Sequence, residues 1–425
     1  MPGVSLIIYS GAAYLLAAFA NRVGLGEWQR NISAHWTERA RLLWPARATA
    51  GINSIIIPIV IHSVHRLVSP ETSAPWLFNG LAAFVGAQLA GYRLDRAVYP
   101  TLTFRQWRHN VISGWGFQFS FLLLCVVAGA WMPAEPGWGI LIVTAAYLVL
   151  HFLVALEYHL KVLRWLGLLR PADARLQRIV NEASARANIP VRATWILTSV
   201  APQALAFPAQ HQLLFSDSLL ELCDDEEVSV ICAHELAHLT ESRLTLAGRC
   251  LGSLVYFPLI YFGPAIHQFG PLGIFLPICG LVAINHFSQW LSQKMERRAD
   301  DAATGAQTNE GLYARALEKL YEKNLLPAVN SKHQRTHPHL YDRMLAAGLT
   351  PAYDRPAPPE SRTWPGQVYG IILGIIVGIA LVMGVRDIGT QADSPSADTD
   401  PGQSLLYNDH LRLETQHLQF PVPAE

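Results

Sequence analysis

Long apolar runs alternate with short, arginine-bearing stretches through most of the chain. Eight runs come close to the ~20 residues a helix needs to cross a bilayer core and contain no Lys, Arg, Asp or Glu: 4–20, 48–65, 76–92, 111–132, 138–156, 250–266, 269–291 and 366–385. The first three are the weakest, being short or carrying polar residues such as Asn53 and His62. Between the fifth and sixth runs the pattern becomes that of a soluble domain. Leu176, Ile179, Val180 and Ala183 recur at helical spacing within 171–188, which predicts a helix lying on other structure. Residues 191–200 and 211–220 are rich in β-branched or apolar residues and flanked by Pro, and predict strands. Asp224, Asp225, Glu226 and Glu227 then place negative charge where a helix dipole is positive, predicting a helix start.

The loops set an orientation, because short cytoplasmic loops carry an excess of Lys and Arg. The loop after the first run holds Arg22, Arg30, Arg39, Arg41 and Arg47, and that after the third holds Arg93, Arg96, Arg105 and Arg108. The intervening loop has only Arg66, and the fourth-to-fifth and sixth-to-seventh loops have none. One topology satisfies every span: N-terminus outside, 158–245 and 292–365 in the cytoplasm, C-terminal tail outside. Ala18-Phe19-Ala20 has the look of a signal-peptidase site, but the preceding segment lacks a basic start and cleavage would leave five arginines outside, so a retained anchor is expected.

Composition agrees with a membrane protein: 51% of residues are apolar and 15% charged, against roughly 25% charged in soluble domains. Lys plus Arg balance Asp plus Glu at 32 each, and no basic cluster is interleaved with aromatics. Nucleic acid is therefore excluded as a ligand class. Cys125, Cys223, Cys232, Cys250 and Cys279 are scattered without CxxC spacing, so neither a disulfide framework nor a cysteine zinc site is implied.

The chemistry concentrates in "ICAHELAHLTE", residues 231–241. On a helix, His234 and His238 share a face about one turn apart and can aim ring nitrogens at one point about 2.0–2.1 Å from a zinc ion. Glu235, rotated about 100° from His234, flanks the position left to water. This is the HExxH spacing of zinc peptidases; the bland alternative is a polar patch on a packed helix. A catalytic zinc usually takes a third protein ligand. Residues 292–305, "SQKMERRADDAATG", offer Glu296 and Asp300 four apart on one helical face: one for the metal, one to hydrogen-bond a ligand histidine. Two spans separate His238 from Glu296, which returns the chain to its starting side. Arg297 and Arg298 are expected to snorkel to the membrane interface.

HELAH, a transmembrane hairpin, E-x-x-x-D in "MERRAD" and "THPHLYDRM" from Thr336 together resemble the integral-membrane zinc metallopeptidases that include the type I CAAX prenyl endopeptidases and the HtpX-like proteases. The motifs cover roughly residues 200–345. The five leading spans are similar to the CAAX prenyl branch. The resemblance implies Glu296 as third zinc ligand, Asp300 as partner of a ligand histidine, and His337, supported by Arg343, as stabiliser of the oxyanion. It also implies that the strand around Gln203, Ala204 and Leu205 receives the substrate backbone by β-augmentation. There the chain departs from the family, carrying Gln-Ala where Asn-Ala is frequent. The eighth span and the acidic tail lie outside the seven-span pattern.

The expected fold is mainly α: a polytopic membrane protein of about eight transmembrane helices with a cytoplasmic gluzincin-type zinc peptidase domain containing a small β-sheet. Residues 1–157 form a five-span region; 158–353 the metallopeptidase domain with its inserted hairpin at 250–291; 354–385 a Pro-rich linker and last span. Residues 386–425, with seven acidic and two basic residues, form a tail without a core. The expected activity is zinc-dependent endopeptidase, one Zn2+ per chain, on membrane-associated, hydrophobic or prenylated substrates beside the lipid bilayer. Two rivals are a membrane metalloprotease sensor of the antibiotic-responsive type, which would need a sizeable extracellular domain where only about 40 residues follow the last span, and a non-enzymatic scaffold or transporter, which intramembrane carboxylates would support.

Overall fold

The computed structural model describes residues 2–68, 75–117, 120–330 and 338–360. The chain is mainly helical. Six helices come first: α1 (Pro2–Arg30), α2 (Trp36–Val68), α3 (Pro75–Val98), α4 (Phe104–Phe117), α5 (Ser120–Trp131) and α6 (Trp138–Ala155). The mixed segment follows as α7 (His159–Trp165), β1 (Leu169–Pro171), α8 (Ala174–Ala187), β2 (Ala193–Leu197), β3 (Ala204–Phe207), β4 (Gln212–Ser216), α9 (Asp217–Leu222) and α10 (Asp225–Leu239). The hairpin comprises α11 (Arg243–Ser253), α12 (Phe262–Phe269) and α13 (Phe275–Ala306), joined by 3-10 turns over Leu254–Tyr261 and Gly270–Ile274. Finally come α14 (Leu312–Asn324) and α15 (Leu340–Ala346).

Among the described residues four stretches are long and apolar enough to cross a membrane: Leu6–Arg30, Trp36–Ile61, Trp138–Ala155 and Arg243–Ala306. The bent pair Phe104–Gly116 and Ser120–Gly129, angled at 69°, would make a fifth. α3 forms over the third expected span but is not among these stretches, and the eighth expected span and the acidic tail lie outside the described residues. Leu141, Ile142, Val149, Leu150 and Phe152 leave one side of α6 exposed and apolar, as a lipid-facing helix requires. α1 and α3 approach so closely that a Cβ at Gly86 would fall 2.0 Å from the Ser10 carbonyl oxygen.

The sheet has the order β1-β2-β4-β3, with β2 and β4 parallel and the outer pairs antiparallel. β3 is thus an edge strand. α8 buries Leu176, Ile179, Val180 and Ala183, the face its spacing predicts, against α10. The acids ahead of α10 form a capping box, with the Asp224 side chain accepting from Glu227 N–H and Glu227 from Asp224 N–H. Arg298 donates to the Ala237 carbonyl at 2.8 Å, satisfying an end carbonyl of α10 instead of reaching for the bilayer interface.

The main core does not stop where the membrane helices end. Leu25 and Trp28 of α1, Trp36, Ala40, Leu43 and Ala46 of α2, and Leu94 and Val98 of α3 join one apolar cluster with α8, β4, α10 and α14. The arginine-rich stretch after the first apolar run is therefore largely helix that turns its aromatic and aliphatic residues onto the mixed domain. Arg47 fixes this contact by donating to the Asn324 and Leu325 carbonyls at 2.7 and 3.2 Å, at the negative end of α14.

Candidate metal centre

Packing of α10 against α13 creates the site. His234 and His238 lie one turn apart on α10, both largely buried, with ring centroids 5.1 Å apart. From α13, Glu296 places Oε2 3.6 Å from His234 Nε2 and Oε1 3.7 Å from His238 Nε2. The three ligand atoms lie within 4.8 Å of one another. Two donors bound to one zinc at about 2.1 Å in tetrahedral geometry sit roughly 3.4 Å apart, so the spacing needs little closure to accept the ion. Two imidazoles and a carboxylate are also a donor set that suits zinc. The residues present fit the metal.

What lies behind the imidazoles supports the fit. The His234 Nδ1 atom is 2.9 Å from the Tyr313 hydroxyl and 3.2 Å from Asp300 Oδ1. Tyr313 donates to Asp300 at 2.8 Å, so its hydroxyl hydrogen is committed and Nδ1–H donates towards it. Arg343 donates from Nε and Nη2 to Asp300 at 2.9 and 2.7 Å and from Nη2 to Tyr313 at 2.8 Å. His238 Nδ1 is 3.1 Å from Glu241 Oε1; a carboxylate only accepts, so Nδ1 carries the hydrogen here too. Both Nε2 lone pairs therefore face Glu296, the tautomer a metal ligand needs. Burial pulls the His234 imidazole down, but Asp300 and Glu296 outweigh it and lift its pKa to about 9, so a proton competes with a metal ion for Nε2.

Glu235, largely buried, lines a cavity of about 600 Å³ together with His234, Glu296 and Arg343. Its far wall brings Arg47, Asp95 and Tyr99 from the leading helices and Leu317, Leu320 and Leu326 from α14 and beyond. Gln203 and Ala204 line the same cavity, and Gln203 is fixed by exchanging hydrogen bonds with Ser216 through its backbone, each 2.9 Å. Leu205 pairs with Leu214 one residue along the edge strand. Cys232, two residues before His234, is completely buried and its thiol is pushed up by burial to about 12, which leaves no thiolate for catalysis. His337 lies outside the described residues; its neighbour His339 is buried at the start of α15 and accepts from Asn330 N–H at 3.3 Å.

Of the site residues expected from sequence, the fold brings His234, Glu235, Glu296 and Arg343 to one cavity wall, with His238 beside Glu296 and Asp300 behind His234. Arg343 holds Asp300 and Tyr313 with the nitrogens described. Two residues join them unannounced. Glu241 had a signal, three positions after His238 on the same helical face. Tyr313 had none, since it arrives from a helix 79 residues away.

A helix-borne pair of histidines with a carboxylate from a second helix forms a group that could hold a metal ion, with the donor types zinc peptidases use. Residues 171–348 match the model of Peptidase family M48. A protein named "Protease HtpX homolog" from Syntrophobacter fumaroxidans is 29% identical over 171 residues, 36% of this chain and 61% of that protein. Proteins of the same name from Trichormus variabilis and Nostoc punctiforme are 28% and 29% identical over 163 and 161 residues, each 34% of this chain and 56% of theirs. The chain thus spans about three-fifths or less of the curated relatives it matches. Over this segment the resemblance to the HtpX-like M48 membrane metallopeptidases is established.

Proposed function

We propose that the chain is a membrane zinc endopeptidase in which His234, His238 and Glu296 hold one zinc ion, with Glu235 as general base. The carrying observation is the convergence of three ligand atoms from α10 and α13 within 4.8 Å. When bound, zinc supplies an acidified water and a Lewis acid beside the scissile carbonyl. Glu235 takes the proton released as the water attacks and passes it to the leaving amine. His337 stabilises the carbonyl oxygen as it gains charge, and Arg343 acts from behind by holding Asp300. β3, with Gln203, Ala204 and Leu205, presents its free edge to an extended substrate. Ile231, Leu317 and Leu320 on the cavity wall favour hydrophobic residues in that substrate, prenylated or not. The arginine-bearing stretches between apolar runs support a cytoplasmic side for the catalytic domain, and the apolar runs themselves support the eight-span reading.

Replacing Glu235 by Gln keeps the size and removes the base. Glu235→Gln is expected to retain one zinc per chain, by metal analysis of the purified protein, while hydrolysis falls by about 10²–10⁴ on a farnesylated peptide or an unmodified membrane-protein substrate. Undiminished turnover would refute the assignment of the base.

A further inference from the structure

The two candidate ligands on α10 are braced from opposite directions. His234 leans on α13, α14 and α15 through Asp300, Tyr313 and Arg343. His238 leans on Glu241, just past the end of α10, whose side chain is 0% exposed. A carboxylate so buried requires a compensating cation, and Arg249 provides it, with Nη1 at 3.2 and 3.4 Å from the two oxygens. Arg249 belongs to α11, the first helix of the membrane hairpin, and is 40% exposed.

α11 is in turn fixed against the helix that carries Glu296. A Cβ at Gly248 would fall 2.8 Å from Leu291 Cδ2, and one at Gly252 would fall 2.9 Å from Ser288 Oγ. Two glycines four apart thus let the backbones approach, as small residues do between membrane helices. The helix that anchors the partner of His238 and the helix that presents Glu296 consequently shift together.

We propose that Glu241 is the positioning residue of His238 and that Arg249 holds Glu241, so that the seating of the membrane hairpin on the peptidase domain sets the geometry of the metal centre. The inference rests on the zinc peptidase reading and adds to it a route by which the hairpin's surroundings act on the site. The Nδ1–H to carboxylate bond fixes which imidazole nitrogen carries hydrogen and where the other points. Without Arg249, Glu241 is buried without its cation and is drawn away from His238 towards water.

The test uses the full chain in detergent, with zinc affinity read by chelator competition and geometry by the visible spectrum of the cobalt-substituted protein. Glu241→Ala is expected to weaken zinc by about 10- to 100-fold, the range for lost hydrogen-bond partners of ligands, and to alter the cobalt bands. Arg249→Ala should weaken zinc in the same direction by less, Arg249→Lys should restore most of it, and the double variant should be no worse than Glu241→Ala alone. At saturating zinc, kcat should fall while KM holds. Zinc affinity within about twofold of wild type in Glu241→Ala would overturn the positioning role. An Arg249→Ala effect that is absent, or that adds fully to that of Glu241→Ala, would overturn the hairpin link. A wild-type chain that takes up no zinc would sink the underlying peptidase reading instead, and the inference with it.

Discussion

The two sides of the candidate metal centre differ in what their loss would cost. Behind His234, Asp300 and Arg343 form an ion pair with side-chain exposures of 16% and 7%, cross-linked by a buried Tyr313. Behind His238, the ion pair is half open to solvent, because Arg249 remains 40% exposed. A charge left alone in a buried pair is penalised heavily, whereas one that can reach water is not. The His234 side therefore ties the metal to the folding of the domain, and the His238 side ties it to the hairpin with little claim on stability.

Asp300→Ala tests the strong side and should show the largest effect. It strands the buried Arg343 guanidinium, so stability should fall by about 3–5 kcal/mol, with zinc weakened by about 10- to 100-fold. Thermal unfolding of the purified protein, with and without chelator, checks both. The companion Glu241→Ala should lose zinc affinity with a much smaller change in unfolding temperature. Equal losses of stability in the two variants would break the comparison.

Tyr313→Phe is the finer cut on the same side. The hydroxyl touches His234, Asp300 and Arg343 together, and removing it should cost about 1–3 kcal/mol, the usual penalty for stranding buried partners. His234 keeps Asp300 at 3.2 Å, so zinc should weaken by less than about tenfold. Chelator competition decides: a loss equal to that of Asp300→Ala would make Tyr313, not Asp300, the principal support.

How much of this was legible depends on how far apart the partners lie in sequence. His234, Glu235 and His238 are read from one helical repeat, and Asp224 to Glu227 announce that helix's start. Glu296 is reachable because two apolar runs lie between it and His238, an even number that would return the chain to the same side of a membrane, a constraint of topology and not of distance. β1 escaped notice at three residues. Tyr313 and the burial of Trp28, Trp36 and Leu43 against the mixed domain depend on tertiary docking, and nothing in the local pattern of polar and apolar positions encodes that. The stretch holding Arg39, Arg41 and Arg47 reads as a loop by charge, yet α2 runs through it, because its apolar face has a core to bury against.

The smallest effect expected lies beyond Arg249, at Glu157. Its carboxylate accepts from the backbone N–H groups of Ala209 and Gln210 at 3.3 and 2.9 Å, joining the end of α6 to the turn between β3 and β4. Burial raises its pKa from 4.5 to about 7; those two N–H groups and Arg249 pull it down, and Glu241 pushes it up. Between pH 4.5 and 7 the folded chain holds a proton that the unfolded chain has released. Stability contributed by the protonated group is therefore lost as pH rises through that window, and the loss is complete above it. Glu157→Gln cannot titrate, so its unfolding temperature should decline less than that of wild type between pH 5 and pH 8, leaving the variant relatively more stable at the alkaline end. Parallel pH profiles for wild type and Glu157→Gln would show that Glu157 does not titrate in this window.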